Sequence, residues 1–216
     1  VAEAALGGGT TVALRVPQVT FFRDVVGRTG PLVAPSANRS GRVSATSAEA
    51  VMEELHGLID LVVDDGPSPI GVESTVIDVT GAPRLLRPGA IPLGTIEAVV
   101  GPVSLAERAG PLRSPGLLHS HYAPRALLRL DVPAKDVRAD EGWLAFGEDG
   151  AQAAHIVRLS PSGDLDEAAR GLYAGLRALD ATGVGVIAVS PIPNEGVGVA
   201  IRDRLMRAAA PREGDG

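Results

Sequence analysis

The spacing of apolar residues is most regular in the last third of the chain. Apolar side chains recur there every three or four residues, which is the period of one helix face: Leu165, Ala168, Ala169, Leu172, Tyr173, Leu176 and Leu179. Asp164 precedes them at an N-cap position, with Glu167 at the reciprocal position of a capping box. These features predict an amphipathic helix that begins just after Asp164.

Short apolar runs typical of buried strands flank this helix, at residues 143–146, 156–159 and 184–189. A second helical pattern covers residues 197–209. The order of strand, helix, strand and helix indicates a βαβ unit, in which the two strands are parallel. We therefore expect a small α/β domain at this end of the chain.

The first half alternates shorter elements. Residues 11–16, 31–34 and 61–63 are predicted strands. Residues 74–79 and 84–87 are β-rich runs on either side of a Thr-Gly-Ala-Pro turn, which predicts a hairpin.

Helices are predicted at residues 19–26 and 96–100. Another is predicted at residues 47–56, with Thr46 as its N-cap and Glu49 completing a capping box. Strands that alternate with helices indicate an α/β architecture in this half as well.

Between the two halves the periodicity fails, and glycine, proline, serine and histidine become frequent. We therefore divide the chain into residues 1–105, a linker at residues 106–127 and a C-terminal domain at residues 128–216. The linker alone has a net positive charge, in a chain whose net charge is −6.

The composition excludes several kinds of chemistry. Cysteine is absent, which excludes disulfides, cysteine-ligated metals and thiol catalysis. Aromatic residues make up 3%, too few for a general single-strand binder that relies on stacking. The one lysine, Lys135, is followed by Asp136, so it cannot belong to a Gly-Lys-Ser/Thr phosphate loop. Because the sequence shows no membrane-length apolar run and no targeting segment, we expect a cytoplasmic protein that does not bind membranes.

Polar clusters stand near the predicted strands. The loop at residues 34–41 gathers hydroxyl, amide and guanidinium groups, which can bind a phosphate or carboxylate together with backbone N–H groups. Glu73 and Ser74 lead an otherwise apolar strand, and Arg87 ends the next one, where its guanidinium can pair with a phosphate. The spacing alone leaves open an ordinary turn for the loop and a solvated strand end for the pair.

Metal binding has little support in the sequence. His119 and His121 lack nearby carboxylate or cysteine partners, so we predict no metal site there. Asp64 and Asp65 are interpreted as a turn-initiating pair rather than as ligands of Mg²⁺.

The polar clusters form four motifs in a fixed order, at residues 34–41, 71–76, 86–89 and 114–124. With these motifs the chain resembles the long, two-domain form of the threonylcarbamoyl-AMP synthase family over nearly its whole length. The resemblance implies the C-terminal part of a YrdC-like mixed α/β catalytic domain, joined by the linker to a small Rossmann-like α/β domain.

The resemblance also implies a reaction. L-threonine, bicarbonate and ATP, with Mg²⁺, would give threonylcarbamoyl-adenylate and pyrophosphate, and the tRNA threonylcarbamoyl-transfer machinery would use the product downstream. The threonine amine takes up bicarbonate as a carbamate, which then attacks the α-phosphorus of ATP. Such a substitution depends on positioning and charge neutralisation more than on a protein base, so no catalytic residue is singled out.

Site residues follow from the same resemblance. Arg15 would hold the threonine carboxylate, and Ala34 and Ser74 match further threonine-site positions. The positions matching the ATP site are Thr11, Ser36, Asn38, Ser44, Arg87 and Tyr122. Tyr122 matches the linker residue that folds over the catalytic cleft.

The sequence departs from the family pattern at its beginning. The family's Pro-Thr-Glu-Thr-x-Tyr-Gly-Leu and Lys-x-Arg-Pro segments, which supply part of the threonine pocket and the basic phosphate grip, do not occur in it. We therefore expect a chain truncated at its N-terminus and inactive alone, although the full-length protein would be a nucleotidyltransferase. The alternative is a non-catalytic RNA-binding or regulatory YrdC-like module, which the net negative charge disfavours.

Overall fold

The chain builds two separate β-sheets, one in each half. The computed structural model describes residues 3–6, 8–106, 121–147 and 149–211. Residues 107–120, which make up most of the predicted linker, therefore lie outside the described residues, and the domain boundaries stay predictions. Among the described residues, every helix is too short or too polar to serve as a membrane span.

A small mixed sheet and short helices form the first half. The helical elements are a 3-10 turn at Glu3–Leu6, α1 (Thr20–Thr29), α2 (Ala48–Leu55) and α3 (Leu93–Val100). The strands are β1 (Val76–Asp78), β2 (Arg84–Arg87) and β3 (Ser104–Leu105). β1 and β2 pair antiparallel, which confirms the predicted hairpin, and β3 pairs parallel to β2.

Three predicted strands are wrong. At residues 11–16, 31–34 and 61–63 no strand forms. A strand needs a neighbour that completes its ladder of hydrogen bonds, and none of the described residues pairs with these segments. Their apolar side chains consequently stay exposed, as Leu14 at 87% and Leu61 at 78% show.

The N-cap of α2 is Ser47 and not Thr46. Ser47 has the extended backbone of an N-cap, and its Oγ accepts a hydrogen bond from the Ala50 N–H at 3.3 Å. Thr46 instead accepts the Ser68 N–H at 2.8 Å through its backbone carbonyl. Because both adjacent residues carry a hydroxyl that can cap a helix, the sequence does not distinguish between them.

The second half is a parallel α/β domain, as predicted. Its strands are β4 (Leu127–Arg129), β5 (Gly142–Phe146), β6 (His155–Ser160) and β7 (Val186–Val189). Its helical elements are a 3-10 turn at Ala134–Asp136, α4 (Leu165–Ala181) and α5 (Gly198–Ala208). The four strands lie in the order β4-β7-β5-β6, and all pair parallel.

The capping box predicted for α4 forms only in part. The Glu167 N–H donates to Asp164 Oδ1 at 2.6 Å, which confirms Asp164 as the N-cap. The Glu167 carboxylate does not return to the Asp164 N–H but accepts the Ser160 hydroxyl. The Asp164 N–H donates to Ser160 Oγ at 2.9 Å, so Ser160 links the end of β6 to the start of α4.

The two halves share one hydrophobic core. β5 and the inner face of α4 are buried, and Trp143, Leu144 and Leu172 are fully inaccessible. Val43 and Val72 from the first half belong to the same buried cluster. The C-terminal domain is therefore the packing surface against which residues 43–44 and 71–73 are held.

Gly71 marks a close approach between the halves. Its backbone has φ +82°, and an added Cβ would lie 2.1 Å from the carbonyl oxygen of Ala169, in the second turn of α4. Only glycine permits this contact, because the obstructing atoms are backbone and cannot move aside.

We predict that Gly71→Ala destabilises the chain by roughly 2 kcal/mol more than Gly66→Ala does. Gly66 has the same φ of +82°, but an added Cβ there would meet open space, so this position controls for backbone strain alone. Chemical denaturation of both variants gives the two changes in unfolding free energy, and equal changes would contradict the close contact.

Candidate active site

Ser74 is the meeting point of three segments that are distant in sequence. Arg15 Nη1 donates to Ser74 Oγ at 3.4 Å, and Arg87 Nε donates to the Ser74 carbonyl at 3.2 Å. Arg15 is exposed, whereas Arg87 is 9% exposed. Two guanidinium groups that both bind Ser74, one at the hydroxyl and one at the backbone carbonyl, make a setting suited to an anionic ligand.

The backbone beside Ser74 is tightly confined. An added Cβ on Gly89 would lie 2.2 Å from the Thr75 nitrogen and 2.5 Å from the Glu73 carbonyl oxygen. Gly89 follows β2, so the end of the hairpin presses directly on the segment that leads into β1. Glycine at this position lets the two backbones touch.

Glu73, next to Ser74, is the centre of a hydrogen-bond network that joins the two halves. Its Oε1 accepts from Ser44 Oγ at 2.7 Å and from the Tyr173 hydroxyl at 3.0 Å. Its Oε2 accepts from Arg204 Nε at 2.7 Å and from the same Tyr173 hydroxyl at 2.8 Å. Tyr173 lies on α4 and Arg204 on α5, so the C-terminal domain supplies most of the donors.

These partners keep Glu73 ionised. Burial acts to raise the pKa of Glu73, but the charge and hydrogen bonds of Arg204, with those of Ser44 and Tyr173, outweigh it and lower the pKa below its ordinary value. Burial and the Glu73 charge raise the pKa of the Tyr173 hydroxyl well above its usual range. Tyr173 therefore remains a donor to a carboxylate that remains an acceptor.

Tyr122 folds onto this network from the end of the linker. Its side chain is 2% exposed, and its backbone has φ +64°. The ring lies 5.5 Å from the guanidinium of Arg204 and 5.7 Å from the ring of Tyr173, and its hydroxyl is hydrogen-bonded to Arg87. Tyr122 thus touches both arginines that hold residues 73 and 74.

Backbone hydrogen bonds hold the neighbours of Tyr122 in place. The His121 N–H donates to the Arg207 carbonyl at 3.2 Å, and the Ala123 N–H donates to the Gly41 carbonyl at 3.0 Å. This segment therefore spans from α5 to the loop at residues 34–41. Burial lowers the pKa of the His121 ring, aided by the charges of Arg207, Arg87 and Arg204 against the opposing charge of Glu73.

In the loop at residues 34–41, Asn38 is the buried member. Its Nδ2 donates to the carbonyls of Arg39 at 2.8 Å and Arg42 at 3.2 Å, which fixes the turn. Its Oδ1 is buried without a hydrogen-bond partner among the described residues. The Arg39 N–H donates to Glu54 Oε2 at 2.7 Å, so α2 supports the loop from outside.

The predicted site residues fall into three groups. In one, Asn38 donates its side-chain hydrogen bonds to the carbonyls of Arg39 and Arg42. Arg15, Ser44, Ser74, Arg87 and Tyr122 are linked directly or through Glu73. Thr11, Ala34 and Ser36 are exposed, and their side chains form no hydrogen bond to this cluster within the described residues. Asp64 forms the predicted turn, because its Oδ1 accepts the Gly66 N–H at 2.9 Å.

The sequence missed the role of Arg204 and Tyr173. Arg204 stands one helical turn from Ala200 and from Ala208, on the buried face of α5. A charged residue at a core position of an amphipathic helix was the available signal, since such a charge must meet a partner. Tyr173 was assigned to the apolar stripe of α4, where its hydroxyl gave no separate signal.

A parallel α/β domain packs against a mixed sheet, and a cluster of arginine, serine and tyrosine lies at their junction. This arrangement is that of a two-domain α/β protein with a candidate site between its parts. Residues 91–210 match a family model described as "Threonylcarbamoyl-AMP synthase, C-terminal domain", and residues 1–89 match one described as "Telomere recombination". The chain belongs to the threonylcarbamoyl-AMP synthase family.

Relatives from distant organisms agree with these matches. The chain is 38% identical to the threonylcarbamoyl-AMP synthases of Pyrococcus abyssi and of Bacillus subtilis, with 95% of the chain aligned to each. It spans 66% and 65% of the length of those two relatives. The relative from Schizosaccharomyces pombe is 31% identical over 97% of the chain and 60% of its own length.

Solved structures confirm the fold class. The crystal structure of P. abyssi Sua5 complexed with L-threonine superposes with a TM-score of 0.86 at 34% identity, covering 97% of this chain and 67% of that one. A variant of P. abyssi Sua5 with an adjacent histidine and tyrosine replaced by alanine superposes with a TM-score of 0.82 at 32% identity. It covers 94% of this chain and 64% of its own.

We predict that stability falls in acid through Glu73. Because the folded-state pKa of Glu73 is lowered, its contribution is complete above the unfolded-state pKa and is lost as pH falls through the folded-state value. Unfolding free energies measured by urea denaturation across this acidic range should decrease less steeply in Glu73→Gln than in the parent chain. Identical slopes would show that Glu73 is not held ionised by its partners.

Proposed function

We propose that this chain carries the substrate-binding cluster of a threonylcarbamoyl-AMP synthase, an enzyme that forms threonylcarbamoyl-adenylate and pyrophosphate from L-threonine, bicarbonate and ATP. The observation that carries the proposal is that Arg15 and Arg87 both donate to Ser74, while the Tyr122 hydroxyl is hydrogen-bonded to Arg87. The three residues come from separate segments of the sequence, and the family resemblance assigns each to a substrate. The threonine complex of P. abyssi Sua5 supports the amino-acid half of this assignment.

Threonine binds beside Ser74 in this proposal. The exposed guanidinium of Arg15 pairs with the threonine carboxylate, while Ser74 and Ala34 border the rest of the amino acid. The threonine amine adds to bicarbonate with loss of water and gives a carbamate. A carbamate oxygen then bonds to the α-phosphorus of ATP as the bond to the β-phosphate oxygen breaks, and pyrophosphate leaves with that electron pair.

The nucleotide binds to the adjoining loop. We assign Thr11, Ser36 and Asn38 to ATP, together with Arg87, whose guanidinium lies between Ser74 and Tyr122. Ser44 also matches an ATP-site position. Because its hydroxyl donates to Glu73, we assign it a contribution to nucleotide binding through the Glu73 network. No group of three histidine or carboxylate side chains suited to a metal occurs among the described residues, and Mg²⁺ enters as part of the MgATP substrate.

Tyr122 closes the cluster from the linker side. The P. abyssi Sua5 variant described above replaces an adjacent histidine and tyrosine. In this chain His121 and Tyr122 form the one His-Tyr sequence. The hydrogen bond between Tyr122 and Arg87 provides the link to the nucleotide side.

The product would serve tRNA modification through a threonylcarbamoyl-transfer machinery in the cytoplasm, where ATP, threonine and tRNA occur together. The alternative function is that of a non-catalytic YrdC-like module that itself binds RNA. Binding that weakens steeply with added salt, in the absence of any ATP binding, would favour that alternative over the enzyme.

Threonine-dependent release of pyrophosphate from ATP in bicarbonate buffer tests the proposal. We expect none from the 216-residue chain alone, since its sequence contains no Lys-x-Arg-Pro segment. Joined to the residues that precede the matched region in the P. abyssi relative, the chain should release pyrophosphate only when threonine and bicarbonate are both present. Turnover by the chain alone would overturn the first expectation, and failure of the joined protein would overturn the proposed function.

In that joined protein, Arg15→Ala should raise the KM for threonine roughly 10- to 100-fold, the loss expected for a charged hydrogen bond. The KM for ATP should change little, because the guanidinium meets the carboxylate of the amino acid. Arg28→Ala, in the last turn of α1, is the control and should leave both KM values unchanged. An equal rise in both KM values for Arg15→Ala would contradict the assignment.

A further inference from the structure

The guanidinium of Arg204 holds Glu73 at more than one point. Nε donates to Glu73 Oε2 at 2.7 Å, and Nη2 donates to the Glu73 backbone carbonyl at 3.4 Å. Nη1 donates to Asp203 Oδ2 at 2.7 Å, and Asp203 in turn accepts from Arg207 Nε at 3.1 Å. The Arg204 side chain is fully buried, and each of its three guanidinium nitrogens donates a hydrogen bond. Helix α5 therefore holds the segment before β1 through a planar group in a fixed orientation.

The position of Glu73 determines that of Ser74. The two residues share a peptide bond, and Arg204 binds the carbonyl of that bond as well as the side chain. Gly89 also packs directly against the backbone of residues 73–75, which leaves little space for that segment to shift. Ser74 is therefore fixed between α5 and the end of β2, with its hydroxyl facing Arg15.

Packing alone does not explain an arginine at this position. Its neighbours on the same face of α5 are Ala200, Ile201, Leu205 and Ala208, all buried. Replacement of a buried ion pair by well-packed apolar residues is often neutral or stabilising, so stability gives little reason for the charge. An apolar side chain could make neither the bond to Asp203 nor the two bonds to Glu73, and only the bonds to Glu73 reach the segment before β1.

We infer that Arg204 is a positioning residue of the threonine subsite, acting through Glu73 to hold Ser74 in place. The inference rests on the proposed function and deepens it, because it gives the C-terminal domain a role in binding the amino acid. The ring of Tyr122, 5.5 Å from the same guanidinium, is set by the same group.

Arg177 is a matched control for the possibility that Arg204 only holds the two halves of the chain together. It also joins the two halves, since it extends from α4 to the Val43 carbonyl and the Glu54 carboxylate, with a longer bond of 3.5 Å to the Ser44 backbone carbonyl. Its side chain is 18% exposed, and its hydrogen bonds within the described residues go to groups other than Glu73. Arg177→Met therefore weakens the same domain contact without touching the segment at residues 73–75.

The first test is kinetic and uses the joined protein described above. Arg204→Met should raise the KM for threonine at least about tenfold, with the KM for ATP changed less than about threefold. Arg204→Lys, which keeps the charge but not the fork, should fall between the parent and Arg204→Met. Arg177→Met should leave the KM for threonine unchanged.

Two results would overturn the inference: an unchanged KM for threonine in Arg204→Met, or an equal rise in Arg177→Met. If the parent joined protein shows no threonine-dependent turnover, the proposed function itself fails.

The second test needs no turnover and uses the 216-residue chain alone. Amide hydrogen exchange at residues 73–75 should become at least about tenfold faster in Arg204→Met but not in Arg177→Met. Equal exchange in the two variants would overturn the positioning role.

Discussion

The ion pair between Glu73 and Arg204 is the interaction on which the arrangement of the site depends. The two residues are 131 positions apart and belong to different halves of the chain. A charge pair taken out of water is tolerated only when its remaining lone pairs and protons also find partners. Here Ser44 and Tyr173 donate further hydrogen bonds to the Glu73 carboxylate, and Asp203 accepts one from the Arg204 guanidinium. Loss of any one of them leaves a charge that is partly buried and incompletely paired.

Through this ion pair the C-terminal domain holds the residues of the candidate site in place. Its parallel sheet and α4 form a dense core, whereas the first half exposes large apolar side chains such as Val16 at 87% and Val33 at 77%. The parts of the first half that join the core are those that contact α4 and α5, around Val43 and Val72. The proposed substrate positions at Ser74 and Arg87 thus depend on packing against a domain from which no side chain is assigned to a substrate.

Local rules predicted most of the C-terminal domain, because the periodicity of α4 and the apolar runs of β5, β6 and β7 are properties of short segments. They failed at residues 11–16, 31–34 and 61–63, because strand formation needs a partner that a local pattern does not reveal. The four ordered motifs were enough to indicate the family, and the family resemblance then selected Arg15, Ser74, Arg87 and Tyr122, which are linked by hydrogen bonds. The contribution of α5 was not foreseen. A buried arginine shows where a partner is needed, but the partner is identified only when the chain is folded.

A double-mutant cycle on Glu73→Gln and Arg204→Met, measured as unfolding free energy by chemical denaturation of the 216-residue chain, tests the central claim most directly. Each single replacement should cost about 3 to 5 kcal/mol, because it strands the other charge in a buried site. The double variant should cost less than the sum of the two by about 2 kcal/mol or more. Costs that add to within about 0.5 kcal/mol would show that the two residues do not depend on each other and would contradict the account.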